Sequence, residues 1–173
     1  RGPPLAALVA GGAAPVREPA PARGAKQEYE VENKPATTDA KVLTLTGGGP
    51  GARAQGATRI AGMELGAVPR AAAAALASGI PFIMVRKKPK GHGTNTQLEG
   101  VYEPGMEVVV VEDVTTRGGS SAEDVAVLRA AGLKVTKVVN VVEREDGAAK
   151  AFGGLGVGVE ALVRARELLR ESG

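Results

Sequence analysis

Val108-Val109-Val110-Val111-Glu112-Asp113-Val114-Thr115-Thr116-Arg117-Gly118-Gly119-Ser120 is the stretch on which the fold turns. The unbroken valine run predicts a strand covered on both faces, as the strands of a parallel sheet are. Two adjacent acids close it, and a Thr/Gly/Ser turn then leads to a helix N-terminus. Ser120-Ser121-Ala122-Glu123-Asp124 holds two overlapping capping boxes, so a helix opens there and ends at Gly132. A buried strand that feeds a helix through a Gly-rich turn is the building unit of an open α/β sheet. In such sheets ligands sit beyond the carboxyl ends of the strands.

The flanks repeat the unit. Arg59-Ile60-Ala61-Gly62-Met63 reads as a short strand, and Pro69 to Ser78 as an Ala-rich helix with Pro in its first turn and Gly79 as its C-terminal cap. Ile80 to Val85 is a strand with Pro81 near its start, and Lys134 to Val142 is another. Val157, Val159, Ala161 and Val163 alternate like a strand, and Ala165 to Glu171 reads as a closing helix. Upstream, Thr38 or Asp39 caps a helix start, Glu28 to Glu32 alternates like an edge strand, and Leu5 to Ala10 suits a short helix. Gly47-Gly48-Gly49-Pro50-Gly51 is a breaker cluster that no regular element is expected to cross. The expected fold is therefore a doubly wound, mostly parallel α/β sheet flanked by helices.

Composition narrows the function. A chain of 173 residues suits one compact domain. Lys+Arg 22 against Asp+Glu 19 gives +3, too mild for a protein that coats nucleic acid. The absence of Cys excludes a disulfide scaffold, a thiol nucleophile and thiolate metal sites, and it suits a reducing cytoplasm. A single His excludes a His-pair metal site within the chain, and two Tyr with two Phe are too few for base-stacking platforms. No apolar run approaches the roughly 20 residues of a membrane span. The Ala-rich start mixes charges and prolines and lacks a signal-peptide layout, so a cytoplasmic location is expected.

Two segments carry chemistry. Amides of the Gly118-Gly119 turn and of the helix start would cradle a phosphate, with hydroxyls from Thr115, Thr116 and Ser120. Glu112 and Asp113, one step earlier, suit ribose hydroxyls and, directly or through water, Mg²⁺. The plainer reading is a strand-end acid pair before an ordinary loop. The second segment is Arg86-Lys87-Lys88-Pro89-Lys90-Gly91-His92-Gly93-Thr94-Asn95-Thr96-Gln97-Leu98-Glu99-Gly100, with four cations in five residues and then the lone His. A solvated basic loop is its plainer reading. A nucleic-acid patch is another, though no aromatic residues interleave.

Glu112 to Ser120 resembles the phosphoribosyl-diphosphate (PRPP) signature of type I phosphoribosyltransferases. The order Arg86-Lys87-x-x-Lys90-x-His92-Gly93, closing in Glu99-Gly100, is similar to the mobile catalytic loop of the orotate phosphoribosyltransferases. Arg59 to Pro69 looks like the strand and pyrophosphate loop of archaeal-type members, with amides around Glu64 to Ala67 facing the diphosphate. Val141 to Gly147 resembles the strand end bearing an orotate-binding arginine, here Arg144, whose plainer role is an ion pair with Glu143 or Glu145. Arg23 to Tyr29 partly matches the element that folds over the pyrimidine and puts Lys26 beside the base. The likeness covers most of residues 20–147. It departs at Ala22-Arg23-Gly24, where the family has Ser-Ser-Gly, and at Gly47 to Gly56, where the family has a regular helix.

The resemblance implies an α/β core over 37–173 with an N-terminal hood over 1–36. It implies transfer of phosphoribosyl from PRPP to orotate, giving orotidine 5'-monophosphate and pyrophosphate in pyrimidine biosynthesis. It assigns catalysis to Lys90, His92 and Asp113. PRPP binding falls to Arg86, Lys87, Lys90, His92, Glu112, Asp113, Thr115, Thr116, Arg117, Gly118, Gly119 and Ser120. Orotate falls to Lys26, Thr116 and Arg144. Cations on a closing lid would neutralise the departing pyrophosphate as its charge develops. Mg²⁺ is implied as the cofactor, carried by PRPP, with Asp113 the one candidate for a direct contact. A homodimer is implied too, its loop 86–100 reaching the neighbouring site, with no nucleic-acid or membrane partner. A purine phosphoribosyltransferase would keep the PRPP signature but lack the basic lid and Arg144. A non-catalytic PRPP-sensing regulator would need an appended DNA-binding module.

Overall fold

Asp39 starts the first helix as the sequence suggests, its carboxylate accepting the Val42 amide at 2.9 Å. The computed structural model describes residues 37–88, 96–115, 119–143, 152–164 and 167. The expected helix at 5–10, strand at 28–32, hood over 1–36 and nearly all of the closing helix lie outside the described residues. In chain order the elements are α1 (Ala40–Arg53), β1 (Arg59–Met63), α2 (Val68–Ser78), β2 (Phe82–Val85), β3 (Leu98–Glu99), β4 (Glu107–Thr115), α3 (Gly119–Ala130), β5 (Lys134–Glu143) and β6 (Gly158–Arg164).

The strands form one sheet in the order β3-β2-β1-β4-β5-β6. All pairings are parallel except the short β2–β3 pair. One face is sealed by Ile60, Val109, Val111 and Val139 against Ala54, which caps α1, and Ala71 and Ala74 of α2. The other packs Ala61, Ile83, Val85, Val108, Val110 and Val138 against Val125 and Leu128 of α3. The valine run thus feeds two cores at once, which is why it lacks alternation. Strand order reverses between β1 and β4, so the chain winds outward in both directions from that seam.

The breaker cluster is the main correction. α1 runs unbroken through Gly47-Gly48-Gly49-Pro50-Gly51. The reason lies across the helix interface. A Cβ at Gly47 would stand 2.4 Å from the Ala73 Cβ, and one at Gly51 2.9 Å from the Ala74 carbonyl. Tertiary packing against Ala-rich α2 therefore overrides the helix propensity that glycine and proline disfavour. The helix that the family carries after Leu43 is present after all.

Three smaller differences bear on the site. β4 does not stop at the acids but continues to Thr115, paired with β5 alone once β1 has ended. The basic loop returns through a two-residue strand, Leu98–Glu99, that the sequence reading left unassigned. A register shift against Val108 and Val109 skips Thr136 in β5. Beyond it, residues 138–142 of that strand are buried on both faces.

Candidate active site

β1 ends at Met63 while β4 runs on, so Glu112 and Asp113 project past the edge of their neighbour at the seam where strand order reverses. A cavity of about 570 Å³ opens there. Its walls come from the loop after β1 (Glu64, Gly66, Ala67), the start of the basic loop (Lys87), its return (Gln97), the acids of β4, and Glu123 and Asp124 of α3. Neighbouring residues of a strand point to opposite faces. Asp113 therefore enters from the α2 side with Val109 and Val111, and Glu112 from the α3 side with Val108 and Val110.

Asp113 is tied from behind. Its Oδ1 accepts a hydrogen bond from Nη1 of Arg70, whose side chain is wholly buried, while the Asp113 side chain keeps 23% exposure toward the cavity. Burial lowers the Arg70 pKa to about 10, so the guanidinium still carries its charge at neutral pH. Oδ2 lies against Gly66, where a Cβ would come within 3.3 Å of it. Glycine at that place lets the loop approach the carboxylate. Gly62, in β1, makes room for α2 instead, since a Cβ there would meet that of Ala71 at 2.6 Å. Small residues thus set the first turn of α2 directly on β1.

In the loop after β1, the Glu64–Leu65 peptide is cis. The Glu64 amide is used on the Val85 carbonyl at 2.8 Å and the Ala67 amide on the Met63 carbonyl at 3.2 Å. Of the four amides expected to face a diphosphate, Leu65 and Gly66 are the ones without a protein acceptor among the described residues. The Glu64 carboxylate instead accepts the Lys87 amide at 3.1 Å, which joins this loop to the root of the basic loop.

That root is a clasp. The Arg86 amide donates to the Gln97 carbonyl at 2.7 Å, and Gln97 Nε2 returns a bond to the Arg86 carbonyl at 3.1 Å. The Arg86 guanidinium reaches Glu99 at 3.3 Å, so it grips β3 and does not line the cavity. Lys87 does line it, as do Glu112 and Asp113. Gly119 begins α3, while Thr115 and Ser120 stand on described backbone with their side chains outside it. Lys26, Lys90, His92, Thr116, Arg117, Gly118 and Arg144 lie outside the described residues.

Sequence reasoning missed Arg70, whose only signal is a charge inside an alanine-rich helix, and it read Glu123 and Asp124 as capping partners. Both acids line the cavity. Burial and the neighbouring Glu123 push the Asp124 carboxyl up to about 6, partly offset by Lys87. The walls thus carry five carboxylates against one lysine. Such a pocket suits hydroxyl groups, and it takes a polyanion only with further cations in attendance.

No family model matches the chain. It is 45% identical over 148 residues to the orotate phosphoribosyltransferase of Methanoculleus marisnigri, spanning 86% of each chain. The enzyme of that name from Methanosarcina acetivorans is 37% identical over 168 residues, 96% of this chain and 90% of that one. Among solved structures, the orotate phosphoribosyltransferase of Mycobacterium tuberculosis H37Rv in complex with Fe(III) dicitrate matches with a TM-score of 0.84 and 30% identity, over 95% of this chain and 96% of that one. Its PRPP complex matches at 0.78, with 30% identity over the same shares. Likeness of this degree along most of both sequences, on a shared α/β framework, settles the assignment: the chain belongs to the orotate phosphoribosyltransferase family, pentosyltransferases of pyrimidine biosynthesis that join the phosphoribosyl group of PRPP to orotate.

Proposed function

We propose that the seam cavity is the PRPP site, with the diphosphate over Leu65 and Gly66 and the ribose hydroxyls on Glu112 and Asp113. The observation that carries this is the meeting of three elements in one cavity: the loop after β1, Lys87 at the root of the basic loop, and the acids of β4. The 5-phosphate belongs to the turn from Thr115 to Ser120, at the N-terminus of α3. Arg144 grips the orotate carboxylate, where guanidinium geometry permits two parallel hydrogen bonds. Lys26 and Thr116 complete the orotate contacts, with the hood over 1–36 closing on the base.

Cations have to enter a cavity this acidic together with the substrate. Lys87, Lys90 and His92 on the basic loop, with Arg117, supply them, and Arg86 anchors the loop at its root. Lid cations that close as the C1–O bond breaks stabilise the pyrophosphate mainly in the transition state. Orotate N1, held over C1, then meets a ribose with oxocarbenium character, and positioning supplies much of the remaining acceleration. The acids that hold the diol also favour positive charge on the ring.

Asp113 lines the cavity, and its Oδ1 is engaged by Arg70. That donor set fits an ion that arrives on substrate phosphates and meets the protein through one carboxylate, as Mg²⁺ does. When bound, Mg²⁺ would neutralise diphosphate charge. The active unit is a homodimer in the cytoplasm, loop 86–100 of one copy serving the site of the other.

Incubation with PRPP, Mg²⁺ and orotate should deplete orotate absorbance and release pyrophosphate. Turnover of hypoxanthine or adenine in place of orotate would overturn the pyrimidine assignment.

A further inference from the structure

Arg70 stands at the third position of α2, in Val68-Pro69-Arg70. The inward positions near it, Ala67, Ala71 and Ala74, are small and apolar, and all are buried. An apolar side chain at 70 would complete that surface. Instead the largest fully buried side chain of the described residues is a guanidinium. Nη1 reaches Asp113, while Nε and Nη2 find no hydrogen-bond partner among the described residues. A buried cation satisfied at one nitrogen of three is a poor stabilising device, because its desolvation is only partly offset. Local rules broken in this way concentrate at functional sites.

We infer that Arg70 is a positioning residue for the transferase reaction: from beneath the cavity it fixes Oδ1 of Asp113, and so presents Oδ2 beside Gly66 to the ribose hydroxyls of PRPP. Arg70 does not line the cavity. It acts through Asp113 alone, whose exposed edge faces the ligand. The inference rests on the proposed seating of the ribose at Asp113. It gives the pair a division of labour: the aspartate supplies the contact, and the buried cation removes the carboxylate's rotational freedom before substrate arrives. It also explains why Gly62 is a glycine, since a Cβ there would meet that of Ala71 and hold α2 too far off for residue 70 to reach across to β4.

The test is a double-mutant cycle on the full chain with Arg70→Leu, Arg70→Lys, Asp113→Asn and the Leu/Asn double variant. KM for PRPP, KM for orotate, kcat and a thermal melt are read for each. A grip made equally in ground and transition states shows itself in KM. Arg70→Leu should therefore raise KM for PRPP about tenfold while KM for orotate stays within about twofold, and kcat should fall as well, because Asp113 also favours charge on the ring. The double variant should bind PRPP no worse than Asp113→Asn alone. Arg70→Lys, which keeps charge but loses the planar fork, should fall between wild type and Arg70→Leu. An unchanged KM for PRPP, equal losses for both substrates, or effects that multiply in the double variant would overturn the inference. Should Arg70→Leu fail to fold, the same cycle built on Arg70→Lys decides, multiplication again counting against it. A wild-type protein that leaves orotate untouched would defeat the underlying reading instead, before any variant is compared.

Discussion

Asp124 shows what one side chain gains and loses by its place in this cavity. Its carboxyl is pushed up to about 6 in the folded protein, first by burial and then by Glu123, with Lys87 pulling the other way. A pKa raised above that of the unfolded chain means the folded state binds the proton more tightly. This residue therefore opposes folding at neutral pH, and its penalty fades as pH falls through about 6 toward the unfolded value. Asp124→Asn should raise Tm at pH 7.5 by a few degrees, on the order of 1 kcal/mol after allowance for partial exposure. It should also flatten Tm against pH between about 4 and 6. Scanning calorimetry across that range checks both, and an unchanged pH profile would mean the group titrates normally. The sequence reading saw Asp124 only as the partner of Ser121 in a cap. Spacing along one helix reveals neighbours on that helix, and the sheet end facing it is a tertiary fact.

Among the elements, α1 carries the sharpest contrast between neighbouring positions. Gly47 touches Ala73, whereas a Cβ on Gly48 would meet nothing within 4 Å. Gly47→Ala should cost roughly 1–3 kcal/mol by overpacking the α1–α2 contact. Gly48→Ala should stabilise the fold by roughly 0.5–1 kcal/mol through helix propensity alone. Chemical denaturation of the two variants side by side measures the difference, and equal effects would refute the close approach. The same helix marks the limit of local reasoning. Gly-Gly-Gly-Pro-Gly is a breaker by propensity, and only the alanines of α2 and Leu162 of β6, all more than twenty residues away in the chain, turn it into a docking surface. Where an element's pattern and its surroundings agree, as in β1, α2, α3 and β5, the residues alone located it to within a few positions. Where a segment lacks a period of its own, as in two-residue β3, nothing in the chain marked it.

For the whole molecule, the seam between β1 and β4 was legible because the acid pair and Gly-rich turn follow an unbroken run of four buried valines. The acids, the loop after β1 and Lys87 do come together. Arg70 stayed hidden because its meaning lies in a partner on strand β4, 43 positions along the chain. At this scale the proposed exchange of loops between subunits is testable. Lys90→Ala should lower kcat by about two orders of magnitude with little effect on PRPP affinity. Mixed with an Asp113→Asn protein and allowed to exchange subunits, it should regain about a quarter of the wild-type activity, since half the dimers are hybrid and hold one intact site each. No recovery would place loop and acids in the same subunit.

β3 has a consequence for how copies of this protein can meet. A sheet edge with a long row of unused amides and carbonyls invites another chain to add a strand. Among the described residues that flank ends in Leu98 and Glu99, antiparallel to β2, with the Arg86 guanidinium folded over the glutamate. So short a margin offers almost no template for strand addition. A charged clasp that holds the loop's ends together thus also guards this edge of the sheet against strand addition.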